Sequence, residues 1–360
     1  MPGELSVGGR ISLAERTTLG VGGHARWFAM AHAPDDIASA EAWCRARGCE
    51  LFVLGGGSNL VISDEGYNGL VLWIRIRGLE LAVTGEGAVM TAGAGEVWDT
   101  VVSAAVTRGL AGLECLSGIP GLVGGTPIQN VGAYGQDVAQ TIQSVSAFDR
   151  STNAVVDIPS GDCGFAYRMS RFKGADAGRF VVTGVSFRLR HDVAPPTYPD
   201  VLAYLREHQI TAPTVANLRE VVLAIRRRKG MVLDEADPDT RSVGSFFMNP
   251  LVTMDDRERI ASMAGATPPS FDVDAAHVKV PAAWLIERAG FRKGASDGPV
   301  GISAKHPLAL VNRGGATARD VLRLASRIKR EVADRFGVLL RPEPIFVGFG
   351  DDPEVSYLRL

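Results

Sequence analysis

Only four cysteines occur in the 360 residues: Cys44, Cys49, Cys115 and Cys163, with no C-x-x-C pair among them. No histidine cluster accompanies them. Zinc sites and a disulfide framework are therefore disfavoured, and no metal is expected; reduced, inert thiols are. Long apolar runs are also lacking. Nothing approaches the ~20 residues that would span a bilayer. The start, MPGELSVGGR, has no basic segment followed by an apolar one, so no signal peptide is expected. Charge of one sign is missing too. The 38 Lys+Arg stand against 40 Asp+Glu, a net charge of -2, which gives no general attraction to nucleic acid or anionic membrane. An anionic ligand must be held by a local site, and the expected compartment is the cytoplasm.

The common nucleotide signatures are also absent. There is no G-x-x-x-x-G-K-[ST]. Gly20-Val21-Gly22-Gly23-His24-Ala25 satisfies G-x-G-x-x-[GA], but RWFAM follows and reads as a strand. A dinucleotide fold of the Rossmann type needs a helix there.

What is present is an alternation of helices and strands, predicting an α+β chain of more than one domain. PDDIASAEAWCRARG reads as a helix with acids at its start and Gly48 at its stop. LFVL, LVLWIRI and RFVVTGVSFRLR read as strands. LELAVTGEGAVMTAGAG and IQSVSAFDRSTNAVVDI read as hairpins, the first turning at Gly85–Gly87. TVANLREVVLAIRRRKG puts Val215, Leu218, Val221, Val222 and Ile225 on one face and ends in cations that suit the helix dipole. SFFMN reads as a short strand. The last long helix opens on a capping box, Thr317 to Asp320, and stops at Gly337. VLLRPEPIFVG is the expected final strand.

Two glycine-rich stretches interrupt this pattern, LGGGSNL at 54–60 and SGIPGLVGGTPIQNVGAYG at 117–135. Glycine lets backbone N–H groups converge on phosphate oxygens with no Cβ in the way. One such loop alone is equally well a tight turn. Two of them, each flanked by strands, suit a ligand with a pyrophosphate and a long body. Ser58, Asn59, Thr126 and Asn130 can add directed hydrogen bonds.

The order VLGGGSNLVISDEGYNGLVL, GLECLSGIPGLVGGTPIQNVGAYGQD, FAYRMSRFK, GSFFMNP, AAWLIERAGFRKG, LRPEPIFVG resembles the UDP-N-acetylenolpyruvoylglucosamine reductase family along nearly the whole chain. The first two stretches alone would indicate only the broader group of para-cresol-methylhydroxylase-type FAD domains. The resemblance implies an enzyme with non-covalent FAD and NADPH as co-substrate. It would reduce UDP-N-acetylglucosamine enolpyruvate to UDP-N-acetylmuramate for peptidoglycan, with hydride from flavin N5. The implied architecture is α+β with three domains. Residues 1–77, completed by 337–360, and residues 78–228 would bind FAD, and 229–336 would bind substrate. A monomer is expected. The alternative is another FAD-dependent oxidase or dehydrogenase with the same domain.

Site residues follow by the same resemblance. FAD would lie against Leu54, Gly55, Gly56, Gly57, Ser58, Asn59 and Leu60. It would also meet Gly118, Ile119, Pro120, Gly124, Gly125, Thr126, Gln129, Asn130, Gly132, Ala133, Tyr134 and Gly184. Arg168 would be the cation that stabilises charge developing on the substrate carboxylate, because its charge is permanent and its fork matches carboxylate geometry. Glu343, between two prolines, would be the acid that hydrogen-bonds the same charge, and Ser245 the proton donor to the carbanion. Tyr167, Tyr198, Lys229 and Asn249 would hold substrate, Lys229 at its diphosphate.

Overall fold

The structure is a computed structural model describing residues 5–360. It divides into two compact units. The first takes in the N-terminal stretch to Ile11, Ala25–Gly56 and Asn68–Val232. The second takes in Ser12–His24, Gly57–Tyr67 and Leu233–Leu360.

The first unit contains a four-stranded sheet in the order Gly8–Ser12, His24–Ala31, Tyr67–Ile74, Leu51–Leu54. Leu51–Leu54 runs parallel to Tyr67–Ile74, with Leu51 opposite Leu70 and Leu54 opposite Trp73. A parallel pair needs a long crossover, and the loop from Gly55 onward lies in that connection. The helix Pro34–Arg47 starts with proline in its first turn and ends at Gly48 with φ 62°, a left-handed stop that glycine adopts without strain. A second, antiparallel sheet runs Ala154–Pro159, Ile142–Asp149, Phe180–Arg190, Gly87–Gly93, Leu79–Thr84. One core covers the inner faces of both sheets, with Trp98 and Phe187 wholly buried and their rings 5.7 Å apart. The helix Val215–Arg228 buries the five apolar residues its spacing predicts. It packs with Val201 and Leu205 of the helix Pro199–Glu207 and with Cys115.

The second unit is built around the helix Ala318–Phe336, whose Thr317–Asp320 capping box and left-handed Gly337 stop form as expected. Leu60–Ile62 and Ile345–Val347 pair in parallel, so the C-terminal segment returns beside the end of the first glycine loop. Two expectations need correction here. SFFMN forms no strand: Ser245 makes a single bridge to Ala309, and Phe247 one to Pro342. VLLRPEPIFVG does not end the fold either. Only Ile345–Val347 is a strand, and the helix Pro353–Arg359 follows. That helix is held from below, since the buried Lys329 ammonium donates to the carbonyls of Tyr357 and Leu358 at 2.9 Å.

All four cysteines are free thiols. Burial pushes Cys44 and Cys115 up to about 12 and Cys163 to about 11, so none of these three is a reactive thiolate at neutral pH.

Candidate functional site

The two glycine loops meet inside the first unit. A Cβ on Gly56 would stand 2.6 Å from the Gly121 Cα and 3.0 Å from the Leu122 nitrogen. Only glycine permits that backbone-to-backbone approach. At Gly55 and at Gly125 the position of a Cβ has no neighbour within 4 Å, so neither backbone is covered at that point by another part of the described chain. A Gly56→Ala variant is expected to push the loops apart. Overpacking of about 1–3 kcal/mol would raise the Kd for FAD by roughly five- to 150-fold. The absorbance ratio of flavin to protein after gel filtration reads this, and an unchanged ratio would remove the contact from the flavin site.

The second loop is shaped from beneath. Asp99, in the first turn of the helix Trp98–Thr107, accepts the Gly118 N–H at 2.6 Å and both arms of the Arg219 fork at 2.7 and 2.8 Å. Burial alone would raise its pKa, but these bonds outweigh burial and hold the carboxyl below the usual range. The Trp98 and Val123 backbones tie down the same loop through Trp98 N–H to the Gly121 carbonyl and Val123 N–H to the Glu96 carbonyl. Buried Glu114 accepts from Gly112 and from the Gln136 amide, whose oxygen accepts the Cys115 N–H. Arg226, read from sequence as a dipole-facing cation, is buried instead; its Nη2 donates to the Met231 carbonyl at 2.6 Å and to that of Gly118 at 3.4 Å.

Three polar residues of the loops bond to the chain itself. Thr126 donates to the Val123 carbonyl, and Asn59 to the Glu343 carbonyl. Asn130 donates to the Ala166 carbonyl and accepts the Ala139 N–H. These bonds shape the loops from which backbone groups are presented. Gly184 lies buried in the strand Phe180–Arg190, beside an irregularity in its register with Ile142–Asp149.

Arg168 sits on a tight turn in which Ala166 and Met169 exchange N–H to carbonyl bonds at 3.0 and 3.1 Å. Three bonds fasten that turn to the 128–132 stretch. They are Ser170 Oγ to the Ile128 carbonyl at 2.6 Å, Asn130 to Ala166 at 3.1 Å, and Arg168 Nη2 to the Gly132 carbonyl at 2.9 Å. Arg168, Asn130 and Tyr134 all have φ near +50°. Such strain collects where surrounding structure over-determines a functional conformation. Tyr167 is exposed beside the Arg168 guanidinium, 5.4 Å from ring to Cζ.

Lys229 follows the last turn of the helix Val215–Arg228. Its Nζ lies 2.6 Å from Asp200 and 5.9 Å from the centre of the Tyr134 ring, and the Tyr198 ring stands nearly perpendicular to that of Tyr134 with 5.2 Å between their centres.

In the second unit Ser245 and Glu343 come together. The Phe246 N–H donates to the Leu308 carbonyl, its own carbonyl accepts the Glu343 N–H at 2.9 Å, and Met248 donates to Arg341. Asn59 is tied to the same segment, its carbonyl accepting the Ile345 N–H. Asn249 accepts the Ala282 N–H at the start of the helix Ala282–Arg288. Thus Asn59, Phe246 and Met248, far apart in sequence, are tied by hydrogen bonds to one segment, 341–345.

Comparison with known proteins decides the family. Residues 237–347 match the family model for the UDP-N-acetylenolpyruvoylglucosamine reductase C-terminal domain, and 25–157 that for an FAD binding domain. The chain is 46% identical to the UDP-N-acetylenolpyruvoylglucosamine reductase of Thermobifida fusca, over 94% of this chain and 97% of that one. It belongs to the UDP-N-acetylenolpyruvoylglucosamine reductase family. The reductase of Mycobacterium marinum is similar at 45% identity over 96% of this chain and 98% of its own. The crystal structure of the Thermus caldophilus reductase superposes with a TM-score of 0.63 at 26% identity, over 96% of this chain and all of that one. Among the described residues no helix is long and apolar enough to cross a membrane.

Proposed function

We propose that the chain reduces UDP-N-acetylglucosamine enolpyruvate to UDP-N-acetylmuramate with FAD and NADPH. The observation that carries this reading is the meeting of Gly56 with Gly121, in a chain of this family and with an FAD-binding domain. FAD, when bound, supplies the hydride and receives it from NADPH. The protein's own part is electrostatic stabilisation and the delivery of a proton. Arg168 is assigned the charge that grows on the substrate carboxylate, and Glu343 the role of a hydrogen-bonding acid toward it. Ser245 gives its hydroxyl proton to the carbon left as a carbanion. An alcohol is a weak acid, so the donation suits only a strongly basic centre. Tyr167, Tyr198 and Asn249 contact substrate, and Lys229 meets its diphosphate. A cytoplasmic monomer and the division into residues 1–77 with 337–360, 78–228, and 229–336 complete the reading.

The test is spectroscopic. Without oxygen, the flavin band should be bleached by NADPH and restored by the enolpyruvyl nucleotide sugar. Restoration by oxygen alone would favour an oxidase of the same domain group.

Lys229→Ala should act on binding. Losing a charge-assisted contact costs about 1.5–3 kcal/mol, so KM should rise roughly tenfold to a hundredfold with kcat near normal. Steady-state kinetics with unchanged KM and a collapsed kcat would place Lys229 at the chemistry instead.

A further inference from the structure

The cation expected to meet the diphosphate already has an anion. Asp200 stands in the first turn of the helix Pro199–Glu207, two residues after Tyr198, and its Oδ2 lies 2.6 Å from Lys229 Nζ. The ammonium is enclosed on another side by the Tyr134 ring, itself backed by Tyr198. Thr197 lies against Gly135, the residue after Tyr134, its hydroxyl 3.1 Å from where a Gly135 Cβ would be. The lysine is therefore confined between one carboxylate and one aromatic face. Neither side chain of the pair is sealed: Lys229 is 34% and Asp200 46% exposed. Burial draws the lysine down, but the Asp200 bond and Tyr134 outweigh it and hold the ammonium above its ordinary value, so it stays charged at neutral pH.

Resting on the reading that Lys229 meets the substrate diphosphate, we propose that Asp200 is an internal counter-anion which the diphosphate displaces from Lys229. A carboxylate oxygen at 2.6 Å takes one of the three donor directions of the ammonium and much of its charge, and a phosphate arriving beside it meets like charge. Asp200 thus sets substrate affinity below the value the lysine alone would give. It also keeps the ammonium paired and aimed before substrate arrives. Because the pair is partly open to water, its strength is modest. The displacement is an exchange of one weak ion pair for a charge-assisted contact.

The experiment is calorimetric titration of the FAD-loaded protein with UDP and, separately, with uridine, which has no phosphate. Asp200→Asn should tighten UDP binding by about two- to fivefold, leave uridine unchanged, and lose its effect in high salt. Asp200→Ser, with a different shape and the same loss of charge, should do the same. The flavin absorbance of each variant verifies that the unit has folded. Unchanged or weakened UDP binding in Asp200→Asn, with Lys229→Ala still weakening it, would overturn the counter-anion role and leave Asp200 as a support for the lysine. Equal tightening of uridine would overturn it as well. If Lys229→Ala leaves UDP binding unaltered, the assignment of Lys229 to the diphosphate falls, and this proposal with it.

Discussion

Replacing Ser245 by alanine is expected to split the reaction in two. Reduction by NADPH should proceed near its normal rate, while reoxidation by the enolpyruvyl substrate slows by about 10²–10⁴-fold, the worth of a positioned general acid. The carbanion that needs the Ser245 proton arises only on the substrate, so the first half-reaction has no use for it. The structure makes the substitution clean. Ser245 is held by its backbone, through the bridge to Ala309, and is followed by the fully buried Phe246 and Phe247. Removing one oxygen leaves those supports in place, including the Phe246 carbonyl that accepts from Glu343. Cysteine, a stronger acid of similar size, should restore part of the rate. Stopped-flow absorbance of each half-reaction measures both. Equal slowing of the two would make Ser245 a support of the flavin site and end its role as donor.

Local signals carried much of the fold. The capping box at Thr317 and the glycine at 337 bound the longest helix, because a helix end is a matter of a few adjacent residues. The face of Val215–Arg228 was legible from spacing alone. Elements whose stability comes from distant partners were not. The helix Pro199–Glu207 hides behind prolines that look like loop, although Pro199 suits the first turn. The seven-residue helix Pro353–Arg359 is too short to display a period and depends on Lys329 reaching its carbonyls. The site divides in the same way. Both glycine loops are visible as composition. The Asp99–Arg219 pair that shapes the second loop spans 120 residues, and the lodging of Arg226 beneath Gly118 spans 108. Neither has a local signature. The burial of Arg226 was masked by the three basic neighbours that follow it, which made it resemble a solvated helix end.

Arg168→Lys should be nearly as damaging as Ser245→Ala, for a reason that lies in geometry. The substitution keeps the charge. It loses the planar fork, which can donate to the Gly132 carbonyl through one arm, at 2.9 Å, while another faces a carboxylate. A lysine reaching for Gly132 has no second rigid donor direction, and one reaching for substrate gives up its anchor. The backbone compounds this. Residue 168 has φ 54°, a conformation that costs about 1–3 kcal/mol and is held by the Ala166–Met169 bonds and by Lys173 donating to the Arg168 carbonyl. Loss of one donor aimed at developing charge costs about 10²–10³ in kcat, and that is the expected fall. Flavin retention and NADPH oxidation should stay near normal, because the turn keeps its Ser170 and Asn130 fastenings. Arg168→Gly is the companion variant. It should be at least as slow, yet no less stable to heat, since glycine accepts the left-handed backbone without strain. A lysine variant with full kcat would mean that charge alone suffices. Loss of flavin from both variants would mean that Arg168 serves to fasten the loop at Gly132, and the chemistry would have to be assigned to another cation.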